Sequence, residues 1–375
     1  MRRFLYLSLI IRRRRAHSNS VAGDEKQTRG DPMHGTQRPS VWRRGATLCI
    51  AMVLAFSLSP RQIWAEQSGE RSLIPMGHAV GIKLFADGVL VVNTTGLDGE
   101  DRSPARDCGL QEGDLILRID DTEIQSTEQM QALLQENGSR PITLTVRRGS
   151  GARQVETRPM LCGDGVYRLG IWIRDSMAGI GTMTFYDPET GQYGALGHGI
   201  TDVDTHVLMP LHSGAIMETS VRAVKRGTKG DPGELKGDFT VQRDVGTVSA
   251  NTSAGIFGTA DGDAFAPVGE ALPVASSGEV HTGRAAILCT VSGNETESYE
   301  VEIVRLYPEM QDLRNLLLRV TDPRLLELTG GIVQGMSGSP ILQDGKIVGA
   351  VTHVLLNDPT QGYGIFMENM LKMAG

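Results

Sequence analysis

The chain has 375 residues, more than one ordinary domain needs, and carries 44 acidic against 37 basic side chains for a net charge of −7. That acidic balance argues against nucleic-acid binding. Forty-six glycines, with few long apolar helical repeats, favour a mainly β, turn-rich architecture over a helical one.

Charge is uneven along the chain: residues 1–45 hold eleven Lys and Arg against three Asp and Glu, or +8, so the remainder carries −15. Next comes Ala46-Thr-Leu-Cys-Ile-Ala-Met-Val-Leu-Ala-Phe-Ser-Leu-Ser59, an uncharged apolar run of fourteen residues. Such a run is short for a membrane span and suits a signal-peptide core, with an uncleaved anchor ending near Trp64 as the alternative. The pattern predicts a basic cytoplasmic leader over 1–45, an export signal or membrane anchor over 46–65, and a linker over 66–75. Because the segment already looks complete from Met33, that residue is expected to be the true start. Cys49 lies in the apolar run, and Cys108, Cys162 and Cys289 show no paired or metal-ligand spacing. No metal site, phosphate loop or dinucleotide fingerprint is visible, so no cofactor is implied.

Further on, Gly109-Leu-Gln-Glu-Gly113-Asp114-Leu-Ile-Leu-Arg-Ile-Asp-Asp121 joins Gly-Leu, Gly-Asp, an apolar strand and an acidic turn. This is the signature of a PDZ domain, predicted over 76–150. Val80–Leu84 reads as its binding-edge strand, Gly88–Val92 as the next strand, Thr127–Glu136 as an amphipathic helix ending at Asn137-Gly138, and Ile142–Val146 as the closing strand. A peptide ligand would add as a strand between that edge and the helix. Its terminal carboxylate would meet backbone N–H groups near Val80, Gly81 and Ile82.

The region 160–375 reads as a second, β-rich domain, with short Val, Thr and Ile runs between turn residues from Thr201 to Ser298. Its central motif is Gly331-Ile-Val-Gln-Gly335-Met-Ser337-Gly-Ser-Pro340, in which a glycine-flanked serine is presented as trypsin-type proteases present their nucleophile. The glycines permit a turn that aims the N–H groups of Gly335 and Ser337 at an oxyanion. Ile341–Thr352 reads as strand, Asp344-Gly345 turn, strand, which argues against the strand–serine–helix elbow of α/β-hydrolases.

A serine of this kind needs a base and an orienting acid. His198, between two glycines and downstream of the strand-like Gly181–Tyr186, is the candidate base ahead of His206, His212, His281 and His353. Asp322, in Thr321-Asp322-Pro323, is the candidate acid, with Asp202, Asp204 and Asp244 as competitors. The chain order His198, Asp322, Ser337 is that of the chymotrypsin group. Ser339 reads as a structural hydroxyl.

Taken together, the export segment, the PDZ signature, Gly197-His198-Gly199, Thr321-Asp322-Pro323 and Gly331–Ile341, followed by Val351-Thr-His-Val354 and Asn357–Gly364, resemble the SpoIVB serine peptidases of endospore-forming bacteria. The resemblance implies a trypsin-like double β-barrel with His198 as base, Asp322 as orienting acid and Ser337 as nucleophile. It also implies export into the space between forespore and mother cell and self-cleavage within residues 60–75. A cut in a membrane-bound inhibitory protein would then release an intramembrane metalloprotease that processes the late mother-cell sigma factor precursor. Two other readings stand beside it: a Ser-Lys processing peptidase using Lys346, and a non-catalytic PDZ adaptor.

Overall fold

A computed structural model describes residues 71–262, 269–310 and 313–374. The leader, the Met33 start, the 46–65 export segment and residues 66–70 lie outside the described residues. Among those described, no helix is long and apolar enough to cross a membrane, and Ser68–Gly375 forms one compact unit.

Strand β1 (Ser72–Pro75) is paired on both sides and leads to β2 (Ala79–Thr94). In β2 two buried runs, residues 79–82 and 88–92, flank exposed Phe85 and Asp87. One strand therefore serves two cores. Its second half belongs to the PDZ unit, which continues through α1 (Pro104–Asp107), β3 (Leu115–Ile119), β4 (Thr122–Glu123), α2 (Thr127–Asn137), β5 (Ile142–Arg148), β6 (Gly151–Thr157), β7 (Met160–Leu161) and β8 (Tyr167–Arg168). Helix α2 starts where the Ser126 hydroxyl accepts from the Gln129 N–H, buries Met130 and Leu134 one turn apart, and stops at Gly138 with φ +64°.

The chain returns along β9 (Ile171–Tyr186), whose first twelve residues run along β2: Ile171–Arg174 against Thr94–Leu90 in the PDZ sheet, then Ser176–Thr182 against Phe85–Ala79. With β10 (Gln192–Ala195), β11 (Leu211–Lys225), β12 (Glu234–Thr252) and β13 (Gly255–Ala260), the order β9-β10-β13-β12-β11-β2 closes through the β2–β9 pairing into a six-stranded ring. Ile82, Met183, Tyr193 and Ile216 fill it.

After β14 (Leu272–Pro273), a second closed barrel follows: β15 (Gly283–Ser292), β16 (Glu295–Leu306), β17 (Leu316–Val320), β18 (Pro340–Gln343), β19 (Lys346–Val354) and β20 (Gln361–Phe366). Helix α3 (Pro323–Thr329) joins β17 to the serine loop, and α4 (Met367–Lys372) ends the fold. The predicted hairpin after the serine is β18–β19, with Asp344 and Gly345 both at positive φ.

Two boundaries differ from the sequence reading. The PDZ unit is an insertion within the first barrel: residues 79–86 of the expected 76–150 domain are barrel strand, whereas residues 160–174 of the expected 160–375 domain complete the PDZ unit. The cause is the length of β2 and β9, 16 residues each, enough to cross both sheets. Nor does a linker extend to residue 75, since Leu73 of β1 is fully buried and Arg71 pairs with Asp187 at 2.9 Å.

At the joint, Ala86, Leu90, Val92 and Leu115 pack against Met209, which comes from a barrel loop. Leu90→Ala should therefore cost about 2–5 kcal/mol and shift one calorimetric transition shared by the PDZ unit and barrels. Two resolved endotherms would show that they melt independently.

Candidate active site

The serine loop is built by a four-residue turn. The Val333 carbonyl accepts from the Met336 N–H at 3.1 Å, and Gly335, third in the turn, sits at φ +98°. Met336 is buried in the second barrel core, and buried Ser339 donates its hydroxyl to the Met336 carbonyl at 2.8 Å. Gly338 has φ +100°, and a Cβ there would lie 2.0 Å from the Thr182 carbonyl oxygen. Among the described residues, no carbonyl accepts from the N–H of Gly335 or Ser337.

His198 follows β10 through Leu196 at φ +72° and Gly197 at φ +67°. A side chain at 197 would meet the Thr352 methyl, 2.9 Å from the added Cβ. One residue of β9 holds both loops. The Thr182 N–H donates to the Ser337 carbonyl (3.0 Å), its hydroxyl to the Gly335 carbonyl (2.8 Å), and its own carbonyl accepts from the Leu196 N–H (3.1 Å). Thr182 was not singled out from the sequence, where it is one more threonine in a strand.

The half-buried His198 ring places Nδ1 2.9 Å from the Gly199 carbonyl. A carbonyl only accepts, so Nδ1 carries the proton and Nε2 keeps the lone pair a general base needs. Burial pushes the imidazole below its ordinary 6.5, opposed by the Gly199 contact. His198 also lies against His353, ring centroids 5.2 Å apart. The Ser337 hydroxyl donates to the carbonyl of Thr352, the residue beside His353, at 2.8 Å. The two loops thus meet over Thr352–His353, with the serine proton directed to backbone rather than to His198.

Asp322 is placed differently. It is the N-cap of α3, accepting from the Arg324 N–H at 2.9 Å and the Glu300 N–H at 3.3 Å, and it pairs with the Arg324 guanidinium at 3.0 Å. Arg324, more than any other group, holds the carboxyl below its usual range. Thr182 brings the His198 and Ser337 loops together, and among the described residues Asp322 has no hydrogen bond to His198. The competing acids are engaged too: Asp202 and Asp204 with Arg174, and Asp244 with Lys83. Lys346 pairs with Glu279 at 2.7 Å, holding that carboxyl at about 2, which is the setting of a charged lysine rather than a base. Among the described residues, no group of three or more His, Cys, Asp or Glu could hold a metal ion.

The expected peptide edge needs correction. Val80, Gly81 and Ile82 pair with Gly181–Gly179 of β9 on one side and Glu218–Ile216 of β11 on the other, and are buried. Strand addition requires an unpaired edge, so no peptide can enter there. The apolar groove of the PDZ unit, about 290 Å³, instead lies between Met130 and Leu134 of α2 and Leu169–Ile173. No strand among the described residues pairs with the second edge of Ile171–Ile173.

Residues 165–371 match the family model described as SpoIVB peptidase S55, and residues 97–148 match a PDZ domain model. A zinc metalloprotease of Clostridium perfringens, so named, is 32% identical over 69 residues, 18% of this chain and 21% of that protein. The chain therefore spans about a fifth of the curated relative it matches. Among solved structures, the PDZ domain of the SdrC-like protein of Listeria monocytogenes is 24% identical, covering 23% of this chain and 87% of that one (TM-score 0.20). The Rv3671c protease of M. tuberculosis, active form, is 13% identical over 52% of this chain and 72% of that one (TM-score 0.29). The HtrA-type protease AlgW with decapeptide is 11% identical over 53% of this chain and 52% of that one (TM-score 0.29).

Two measurements probe this geometry. A base must be neutral, and burial lowers the His198 pKa, so the rate of Ser337 labelling by a fluorophosphonate should rise to its plateau through a midpoint below 6.5; a midpoint above 6.5 would contradict that direction. Asparagine caps a helix about as well as aspartate, so Asp322→Asn should keep most of the stability that Asp322→Ala loses, about 1 kcal/mol. A roughly 10⁴-fold loss of turnover in folded Asp322→Asn would mark an orienting acid, whereas near-normal turnover would confine the residue to the cap.

Proposed function

The chain belongs to the SpoIVB peptidase S55 family and is a serine peptidase carrying a PDZ domain, and we propose that it works after export, as an endopeptidase that cleaves first itself and then a membrane-bound regulatory protein. The convergence of the His198 and Ser337 loops on Thr182 and Thr352 carries this reading. With a substrate carbonyl in place, the Ser337 hydroxyl turns from the Thr352 carbonyl to Nε2 of His198. Oγ attacks the carbonyl carbon as Nε2 takes the proton, and the N–H groups of Gly335 and Ser337 hold the oxyanion. Collapse expels the amine, protonated by His198, and water then hydrolyses the acyl-enzyme.

Asp322 enters as the third member through the Thr321-Asp322-Pro323 motif of the family pattern. To act, it would have to exchange Arg324 for His198. Self-cleavage falls ahead of Arg71, within residues 60–70, because β1 is locked into a sheet from Ser72 onward. Membrane association and export rest on the 46–65 segment. The family pattern supports a sporulation role in the intermembrane space, with a substrate in a complex regulating an intramembrane metalloprotease. The PDZ groove along Ile171–Ile173 would take an extended peptide from such a partner or from the protein's own N-terminal segment.

The test is incubation of residues 46–375, wild type beside Ser337→Ala, His198→Ala and Asp322→Ala, read by intact mass and fluorophosphonate labelling. Shortening of the wild type alone within residues 60–70, with label on Ser337, supports the reading. Four folded, intact and unlabelled proteins would favour the PDZ adaptor.

A further inference from the structure

Strand β9 passes from the wall of the PDZ groove to the catalytic loops, and two adjacent side chains just past the groove, its fourth and fifth, reach in different directions. Arg174 donates from one guanidinium nitrogen to Asp202 and from another to Asp204 at 3.0 Å. Asp175 accepts the N–H and hydroxyl of Thr127, at 2.8 and 3.2 Å. Thr127 is the first residue of α2, the other wall of the groove. Consecutive strand residues face opposite sides of a sheet, so one strand can hold both partners at once.

Asp202 lies four residues beyond His198, and its carboxylate is fully buried. Its second oxygen accepts the N–H groups of Asp204 and Thr205 and the Thr205 hydroxyl, at 3.1, 2.8 and 3.0 Å. The turn so formed returns through a Thr201–Leu208 bridge and a Met209 N–H bond to the Ile200 carbonyl at 2.9 Å. Asn251 holds both the N–H and the carbonyl of Ile200 at 2.9 Å. Met209 is buried in the apolar joint with Leu90 and Leu115. The loop that begins at His198 is therefore fastened at its middle by Arg174 and at its far end by the PDZ core.

We propose that Arg174 is a positioning residue for His198, acting through Asp202, and that Asp175 ties the same strand to the peptide groove, so that the PDZ unit is part of the catalytic apparatus. This rests on the reading of His198 as the base. Without Arg174, Asp202 is a buried carboxylate lacking its guanidinium, and the turn that begins four residues beyond His198 must rearrange. Lysine keeps the charge but not the two-pronged contact.

The test measures fluorophosphonate labelling of Ser337 in full-length wild type, Arg174→Ala, Arg174→Lys, Asp202→Asn, Asp175→Ala and the Arg174→Ala/Asp175→Ala double variant, at a temperature where circular dichroism shows each to be folded. Arg174→Ala and Asp202→Asn should each slow labelling roughly tenfold to a hundredfold, the cost of a misplaced catalytic group, with Arg174→Lys recovering most of the loss. Asp175→Ala should slow it about fivefold alone and add nothing to Arg174→Ala, since coupled positions do not multiply. Labelling of Arg174→Ala within about twofold of wild type, no rescue by lysine, or multiplying effects of the two alanines would overturn the proposal. Absence of label in the wild type would instead strike the nucleophile and base assignments.

Discussion

Sixteen residues of unbroken backbone, Ile171–Tyr186, carry hydrogen bonds to the PDZ sheet at one end and to the serine and histidine loops at the other. A strand whose peptide groups are paired along its length transmits displacement poorly at any single residue but well as a body, because slipping it by one position would send every side chain to the wrong face. In the first barrel that would force Met183 and Phe185 into the buried positions that Thr182 and Thr184 occupy. Strand β2 repeats the arrangement alongside it. The usual picture of a PDZ domain tethered by a flexible segment does not apply to this chain, whose two connections to the barrel are both paired strands.

Relative magnitudes separate the rearrangements that catalysis would require. Turning the Ser337 hydroxyl from the Thr352 carbonyl toward His198 exchanges one neutral hydrogen bond for another, and such a bond contributes about 1 kcal/mol. Bringing Asp322 to His198 is a larger step. It gives up a helix cap of about 1 kcal/mol together with an Arg324 pair that solvent weakens, the arginine being 56% exposed. The backbone carbonyl of Gly199 already performs one duty of an orienting acid, fixing the Nδ1–H tautomer, but it brings no full negative charge to stabilise an imidazolium. The resting geometry thus has a His198 ring with its proton on Nδ1 and a Ser337 hydroxyl bonded to the Thr352 carbonyl, both on loops held by Thr182.

Local chemistry was legible in the sequence wherever it is set by neighbours along the chain. The Gly335 turn, the Asp344-Gly345 hairpin and the Gly138 stop each need a backbone conformation that few residues other than glycine adopt easily, and each was read from those residues. Strand β17 was likewise visible as Leu316–Val320. What was not legible depends on contacts between distant residues. The apolar run Val80–Leu84 has the composition of an edge strand, and nothing in it shows that β9 and β11 cover both its sides. Asp322 before a proline fits a helix cap and a triad acid equally well, and only its bonds to Arg324 and Glu300 show the cap in use. Thr182 and Arg174 belong to no motif; their significance comes from what β9 passes.

The position of the groove follows from the same constraint that excludes Val80–Ile82. Among the described residues, the first residues of β9 keep one edge unpaired, because β2 occupies the other over Val91–Thr94 and the barrel strands β10 and β1 join β9 only from Met183 onward. A peptide added there would extend a sheet that already runs into the first barrel. Its backbone hydrogen bonds would fall on Ile171–Ile173, immediately before Arg174, and its side chains would press on Met130 and Leu134 of the helix that Asp175 holds. Peptide binding at that end of β9 would therefore act on the two side chains that connect the groove helix with the His198 loop, without rigid-body movement of the PDZ unit.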